Sequence, residues 1–94
     1  MTKYIIVIYT DIFGLNDFNR LLNLRELFPC IFELSIDFID CDKVLRVGSV
    51  HNIGRLIIAY LEIEEVKCKL MGIYQELEGR AIVLFEGKDE DCLR

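Results

Sequence analysis

From Ile31 onward the chain places an apolar side chain on every second residue. Phe32, Leu34, Ile36 and Phe38 alternate with Glu33, Ser35 and Asp37. A period of two is the signature of a strand buried on one face and wet on the other. Asp40, Cys41 and Asp42 then supply a polar turn, and Lys43 to Val47 resume the extended pattern with Leu45 and Val47 inward and Arg46 outward. Residues 31–47 therefore predict a β-hairpin, and its apolar face demands a cover.

Two helical patterns flank the hairpin. Leu15, Phe18 and Leu22, with Leu21, Leu24 and Phe28, follow helical spacing and predict a helix over 17–27. Asn16 stands where an N-cap belongs, Asp17 suits the positive end of the helix dipole, and Pro29 stops the helix. After the hairpin, Gly48 and Ser49 close the strand, and Ser49 or Asn52 can cap the next helix. Ile53, Leu56, Ile57, Tyr60 and Leu61 then fall at i, i+3, i+4, i+7 and i+8, one continuous apolar stripe.

The remaining segments read as strands. Tyr4 to Thr10, YIIVIYT, is apolar on both faces, as a central strand requires. Val66, Cys68 and Leu70 alternate with Lys67, Lys69 and Met71. The order β-α-β-β-α-β predicts an α+β fold, a ferredoxin-like open-faced sandwich in which both helices cover one face of an antiparallel sheet. The other face carries Glu33, Ser35, Asp37, Val44 and Arg46. Past Gly72, residues 73–77 extend the fourth strand, Glu78-Gly79 turns, and Arg80 to Glu86 form an extra C-terminal strand. The chain thus reads as one domain, 1–94, with a core over 3–71 and an extension over 72–94. Arg80, Ala81, Ile82, Val83, Leu84 and Phe85 contain an unbroken apolar run that is expected to add to the sheet edge or to pair with a second molecule.

Composition narrows the function classes. A hydrophobic fraction of 53% excludes a disordered chain. No apolar run approaches the roughly 20 residues of a membrane span, and the first strand lacks the cleavage site of a signal peptide, so the expected location is cytoplasmic, with no membrane partner. The net charge of −5, from 16 acidic and 11 basic residues, comes without a basic patch, which argues against a nucleic acid partner. Cys30, Cys41, Cys68 and Cys92 form no CxxC pair and read as buried or incidental thiols. His51, the single histidine, reads as a surface residue at a helix start.

Three short motifs carry a resemblance. The first strand runs into Thr10-Asp11-Ile12, the second ends in Ser35-Ile36-Asp37, and the third opens with Asp42-Lys43-Val44-Leu45-Arg46-Val47. Over about residues 3–71 the chain resembles the heavy-metal-associated, copper-chaperone-like domains, some of which carry TNI, xxxD and DKxLxV there. The resemblance implies a βαββαβ fold and, after the first strand, a CxxC pair that holds a soft metal. Those two positions fall here at Gly14 and Asp17, neither of which supplies a thiolate. The expected protein is therefore a non-catalytic binding module with no cofactor, a homodimer or the partner of another protein.

Two other readings stay open. A rearranged metal site could draw on Asp11, Asp40, Cys41 and Asp42, with Cys30, Cys68 or His51. Asp11 is also distantly similar in position to the Mg²⁺-holding aspartate of the small endonuclease-like subunit of CRISPR adaptation complexes, which implies a dimeric nuclease. Against catalysis, the chain shows no nucleophile–base pairing and no Gly-rich phosphate loop.

Overall fold

The computed structural model describes residues 2–10, 15–37 and 43–87. Seven elements follow one another: β1 (Lys3–Thr10), α1 (Leu15–Leu27), β2 (Ile31–Asp37), β3 (Lys43–Ser49), α2 (Gly54–Ile63), β4 (Cys68–Leu77) and β5 (Arg80–Glu86). The strands form one antiparallel sheet in the order β2-β3-β1-β4-β5. The fold is a small α+β domain with an open five-stranded sheet and two helices.

β1 lies at the centre. Tyr4 to Thr10 pair with Ser49 to Lys43 on one side and with β4 on the other. Its alternate residues Ile6 and Ile8 are fully buried and join Leu45, Val47 and Ile73 of neighbouring strands. Leu21 and Leu24 of α1 and Ile57 and Leu61 of α2 belong to the same buried cluster, so both helices cover this one face. Each such side chain contributes about 1.5–3 kcal/mol when removed from water.

The helices differ in detail from their predicted stripes. In α2 the buried line runs through Ile53, Gly54, Ile57 and Leu61, and Leu56 is 58% exposed. Leu56 precedes Ile57 and is rotated from it by about 100°, which takes it off the core-facing line. Leu22 of α1 is likewise exposed, while Leu21 and Leu24 are buried. Asn16 lies inside the first turn of α1 and not ahead of it. No side chain caps α2: its N-cap is Ile53, and Asn52 Oδ1 stands a long 3.5 Å from the Gly54 N–H. Ser49 is instead buried at the end of β3, where its Oγ accepts the His51 N–H at 3.2 Å. Close packing holds the start of α2. A side chain at Gly54 would come within 2.9 Å of Ile73 Cδ1 and 3.6 Å of Ile6 Cγ2, so the missing Cβ lets the helix sit down on the sheet.

α2 ends in a Schellman motif. The Val66 N–H donates to the Leu61 carbonyl at 2.8 Å and the Glu65 N–H to the Glu62 carbonyl at 3.0 Å, with Val66 and Leu61 both buried. Glu65 takes the left-handed conformation, φ 64°, that glycine usually fills. The two-residue turn between β4 and β5 also has positive φ at both positions, Glu78 at 52° and Gly79 at 81°, the geometry that matches hairpin twist.

Within the β2–β3 hairpin the predicted alternation fails at one place. The β2–β3 register shifts between Ile31 and Glu33, an irregularity that carries Phe32 out of the alternation. Ile31 enters the core, and Phe32, read as inward, turns to the opposite face and is 42% exposed. Leu34 and Ile36 remain packed against the core as read. Phe38 lies outside the described residues.

Two stability outcomes follow. Leu24→Ala should cost about 2–5 kcal/mol in urea unfolding, whereas Leu56→Ala should stay within about 0.5 kcal/mol of wild type. Glu65→Gly should raise the unfolding free energy by about 1 kcal/mol, because it relieves a left-handed non-glycine residue.

Candidate interaction surface

The sheet face away from the helices is set by register. Across β2, β3, β1, β4 and β5, one row reads Glu33, Gly48, Ile5, Tyr74 and Val83. Two glycines in this sheet lie under aromatic rings. A Cβ on Gly48 would meet the Phe32 ring at 2.8 Å, and one on Gly72 would meet the Tyr74 ring and hydroxyl at 2.8–3.0 Å. Phe32 therefore covers Gly48 of the neighbouring strand, and Tyr74 folds back over Gly72 of its own. Lys3 Nζ stands 5.8 Å from the centre of the Phe32 ring, within cation–π range. Ile5, Val7, Tyr9 and Val44 are half-buried on the same face. The result is a mixed surface, apolar along β1, with Glu33, Ser35 and Arg46 on the β2–β3 side and Glu76 and Glu86 on β4 and β5. Its sequence signal is a glycine inside a strand, which marks close backbone approach or a bulge.

β5 adds to the β4 edge, one of the two outcomes expected of it. Gly72 to Leu77 pair with Glu86 to Arg80, with a register shift that leaves Leu84 unpaired. Phe85 turns towards the core and packs against it. Ile82, Val83 and Leu84 are 48%, 53% and 45% exposed, and Arg80 and Ala81 are exposed too. The two helices reach only part of the way across, which leaves a groove of about 380 Å³ between α2 and β4–β5. Ile58, Ala59, Leu70 and Phe85 give it an apolar lining, and Arg55 and Glu62 flank it.

The cysteines with described positions do not converge. Ser49 pairs with Tyr4 and donates from Oγ to Cys30 Sγ at 3.2 Å, whereas Cys68 pairs with Thr10. Six residues of β1 separate those levels, about 20 Å along the strand. Cys30 and Cys68 cannot share a metal ion. His51 is exposed near the Cys30 end. Among the described residues no three His, Cys, Asp or Glu side chains are placed to hold a metal. Asp17 sits in the first turn of α1. Gly14, Asp11, Asp40, Cys41 and Asp42 lie outside the described residues, and with them the Mg²⁺-dependent reading.

Cys68 is also chemically quiet. Burial, and secondarily the negative charge of Glu62, push its thiol up to about 11. Its Sγ–H points at the Ile58 carbonyl at 4.0 Å. A thiol held protonated is a poor nucleophile and a poor soft-metal ligand at neutral pH.

Within the described residues, no helix is long and apolar enough to cross a membrane. Comparison with known protein families, with curated proteins and with solved structures yields no match. The class these observations define is a small α+β domain in which, among the described residues, the cysteines and the histidine are dispersed and exposed large apolar side chains lie on β5, at Phe32 and on the outer faces of the helices.

The raised thiol makes a pH prediction. Below 9.0, the ordinary thiol value, both folded and unfolded chains keep Cys68 protonated and its contribution to stability is complete. As pH rises from there to about 11 the unfolded thiol ionises first and that stability is lost. Wild type should therefore lose more unfolding free energy across this window than Cys68→Ala, measured by urea denaturation of reduced protein.

Proposed function

We propose that the chain is a small non-catalytic binding module that acts through protein–protein contact, on a ferredoxin-like scaffold of the heavy-metal-associated kind that lacks the CxxC metal site. The observation that carries the reading is β5. An added edge strand exposes Ile82, Val83 and Leu84, three large apolar side chains in succession, and edge strands of that kind are ordinarily blunted or covered. The element order through β4 and the neighbour order β2-β3-β1-β4 support the ferredoxin-like scaffold. The separation of Cys30 from Cys68 speaks against a rearranged thiolate site built from that pair. The partner favoured here is a second copy of the chain, in the cytoplasm.

Native mass spectrometry of the reduced full chain tests this reading. Dimer peaks should grow with protein concentration and vanish in Leu84→Glu, whose exposed site leaves the core untouched. Added Cu(I), Zn²⁺ or Mg²⁺ should give no stoichiometric adduct. A chain that stays monomeric at every concentration, or a one-to-one metal adduct abolished by a Cys→Ser change, would overturn it.

A further inference from the structure

We propose that the partner covers the open face of the sheet: two copies pack face to face about a two-fold axis parallel to β1, giving a layered arrangement of helices, sheet, sheet and helices. The proposal rests on the self-association proposed above and assigns its surface. It takes its geometry from the register. The ring of Phe32 over Gly48, then Ile5, Tyr74 and Val83, make an apolar band across β3, β1, β4 and β5, with Glu33 at the same level on β2. One level along β1 stand Lys3, Glu76 and Ala81, and on the other side of the band stand Ser35, Arg46, Val7, Gly72 and Glu86.

A two-fold axis along β1 lays β1 over β1 of the second copy, β3 over its β4, and β2 over its β5. The face complements itself in that orientation. The Phe32 ring, which lies over Gly48 of β3, meets β4 of the second copy at the level of Tyr74, and Val83 of the second copy stands over Glu33. Lys3 stands on the axis opposite Lys3 of the second copy, and one strand spacing, about 4.8 Å laterally, from the Glu76 of either copy, which offsets that pair of like charges. Arg46 comes equally close to Glu86 of the second copy and lies opposite its Gly72, over which the Tyr74 ring of that copy folds. Each contact occurs twice, as a two-fold interface requires.

Charge and area both favour a second copy as the occupant. The chain carries −5 overall, yet the open-face register positions hold Lys3, Arg46 and Lys69 against Glu33, Asp37, Glu76 and Glu86, three positive against four negative. A face this near to neutral lets a copy of itself approach and gives an acidic polymer little to grip. Five strands about 4.8 Å apart, each about seven residues long, present about 550 Å² of face, so two copies bury about 1,100 Å², just past the roughly 1,000 Å² that a specific interface needs. Twisted sheets stack in this way at about −30°, with inner side chains interdigitated.

Sedimentation velocity of the full chain, with far-ultraviolet circular dichroism to verify folding, separates this geometry from edge-only pairing of β5. Val7 lies on the open face of the central strand, two strands from the β5 edge. Val7→Glu should weaken the dimer at least about a hundredfold, Arg46→Glu about tenfold, and Arg46→Glu with Glu86→Arg should recover most of the loss. A dimer that tolerates Val7→Glu but is broken by Leu84→Glu would overturn the face-to-face arrangement and leave the β5 reading standing. A monomeric wild type would overturn both. Where Val7→Glu fails to fold, the exposed Arg46–Glu86 swap decides: no loss in Arg46→Glu, or a loss the swap does not restore, rejects the proposal.

Discussion

Everything in this fold hangs on β1 being flanked on both sides. Seven consecutive residues, Tyr4 to Thr10, have a partner in β3 and another in β4, so the polar backbone of a nearly all-apolar strand is satisfied without water. That is what allows YIIVIYT to sit at the centre. Its two faces then meet different fates. Ile6 and Ile8 disappear under α1 and α2, while Ile5, Val7 and Tyr9 are left half-buried on a face that no helix reaches. The unusual apolarity of the first strand on both sides is thus explained on one side by the core, and on the other by the surface to which we assign a partner.

β5 shifts the balance between helices and strands. Two helices can cover roughly the width of four strands, and the fifth stands beyond α2. Only Phe85 reaches back to the core. The rest of the strand is held by its pairing with β4 and by a tight turn at Glu78-Gly79. An apolar strand kept on the sheet by backbone pairing and a single core contact is a surface element, and its other side chains can serve contact with another molecule.

Much of this architecture can be read from residue types. β1 shows in its β-branched and aromatic run, β5 in its unbroken apolar stretch, and the first helix, read over 17–27 and found over Leu15–Leu27, in its spacing and in Pro29. The inward set Leu34, Ile36, Leu45 and Val47 also follows directly from alternation. What alternation does not reveal is the shift at Phe32. A one-residue irregularity moves a phenylalanine from one face to the other, where its ring covers Gly48 of the other hairpin strand, a match that alternation within β2 does not show. The open face was legible as polar, from Glu33, Ser35 and Arg46, because those residues lie in the hairpin. Its apolar half comes from β1, β4 and β5, whose register no local pattern supplies. The cysteines show the same limit: spacing along the chain separates Cys30 from Cys68, but only the shared ladder with β1 places them at opposite ends of the sheet.

The contrast between the two ladders of β4 has a kinetic side. Its pairing with β5 closes through two residues, whereas its pairing with β1 joins Lys3 to Glu76, nearly the whole described length of the chain. Local hairpins close in microseconds, and contacts of long sequence separation carry the loop-closure cost that slows folding. The C-terminal hairpin can thus zip early as an isolated unit, with its apolar side chains bare until β1 arrives to anchor β4. While a ribosome is still threading residues out, β1 waits for β4, with four elements between them. The central apolar strand therefore stays open on one edge, a surface a chaperone can hold, until β4 has followed it.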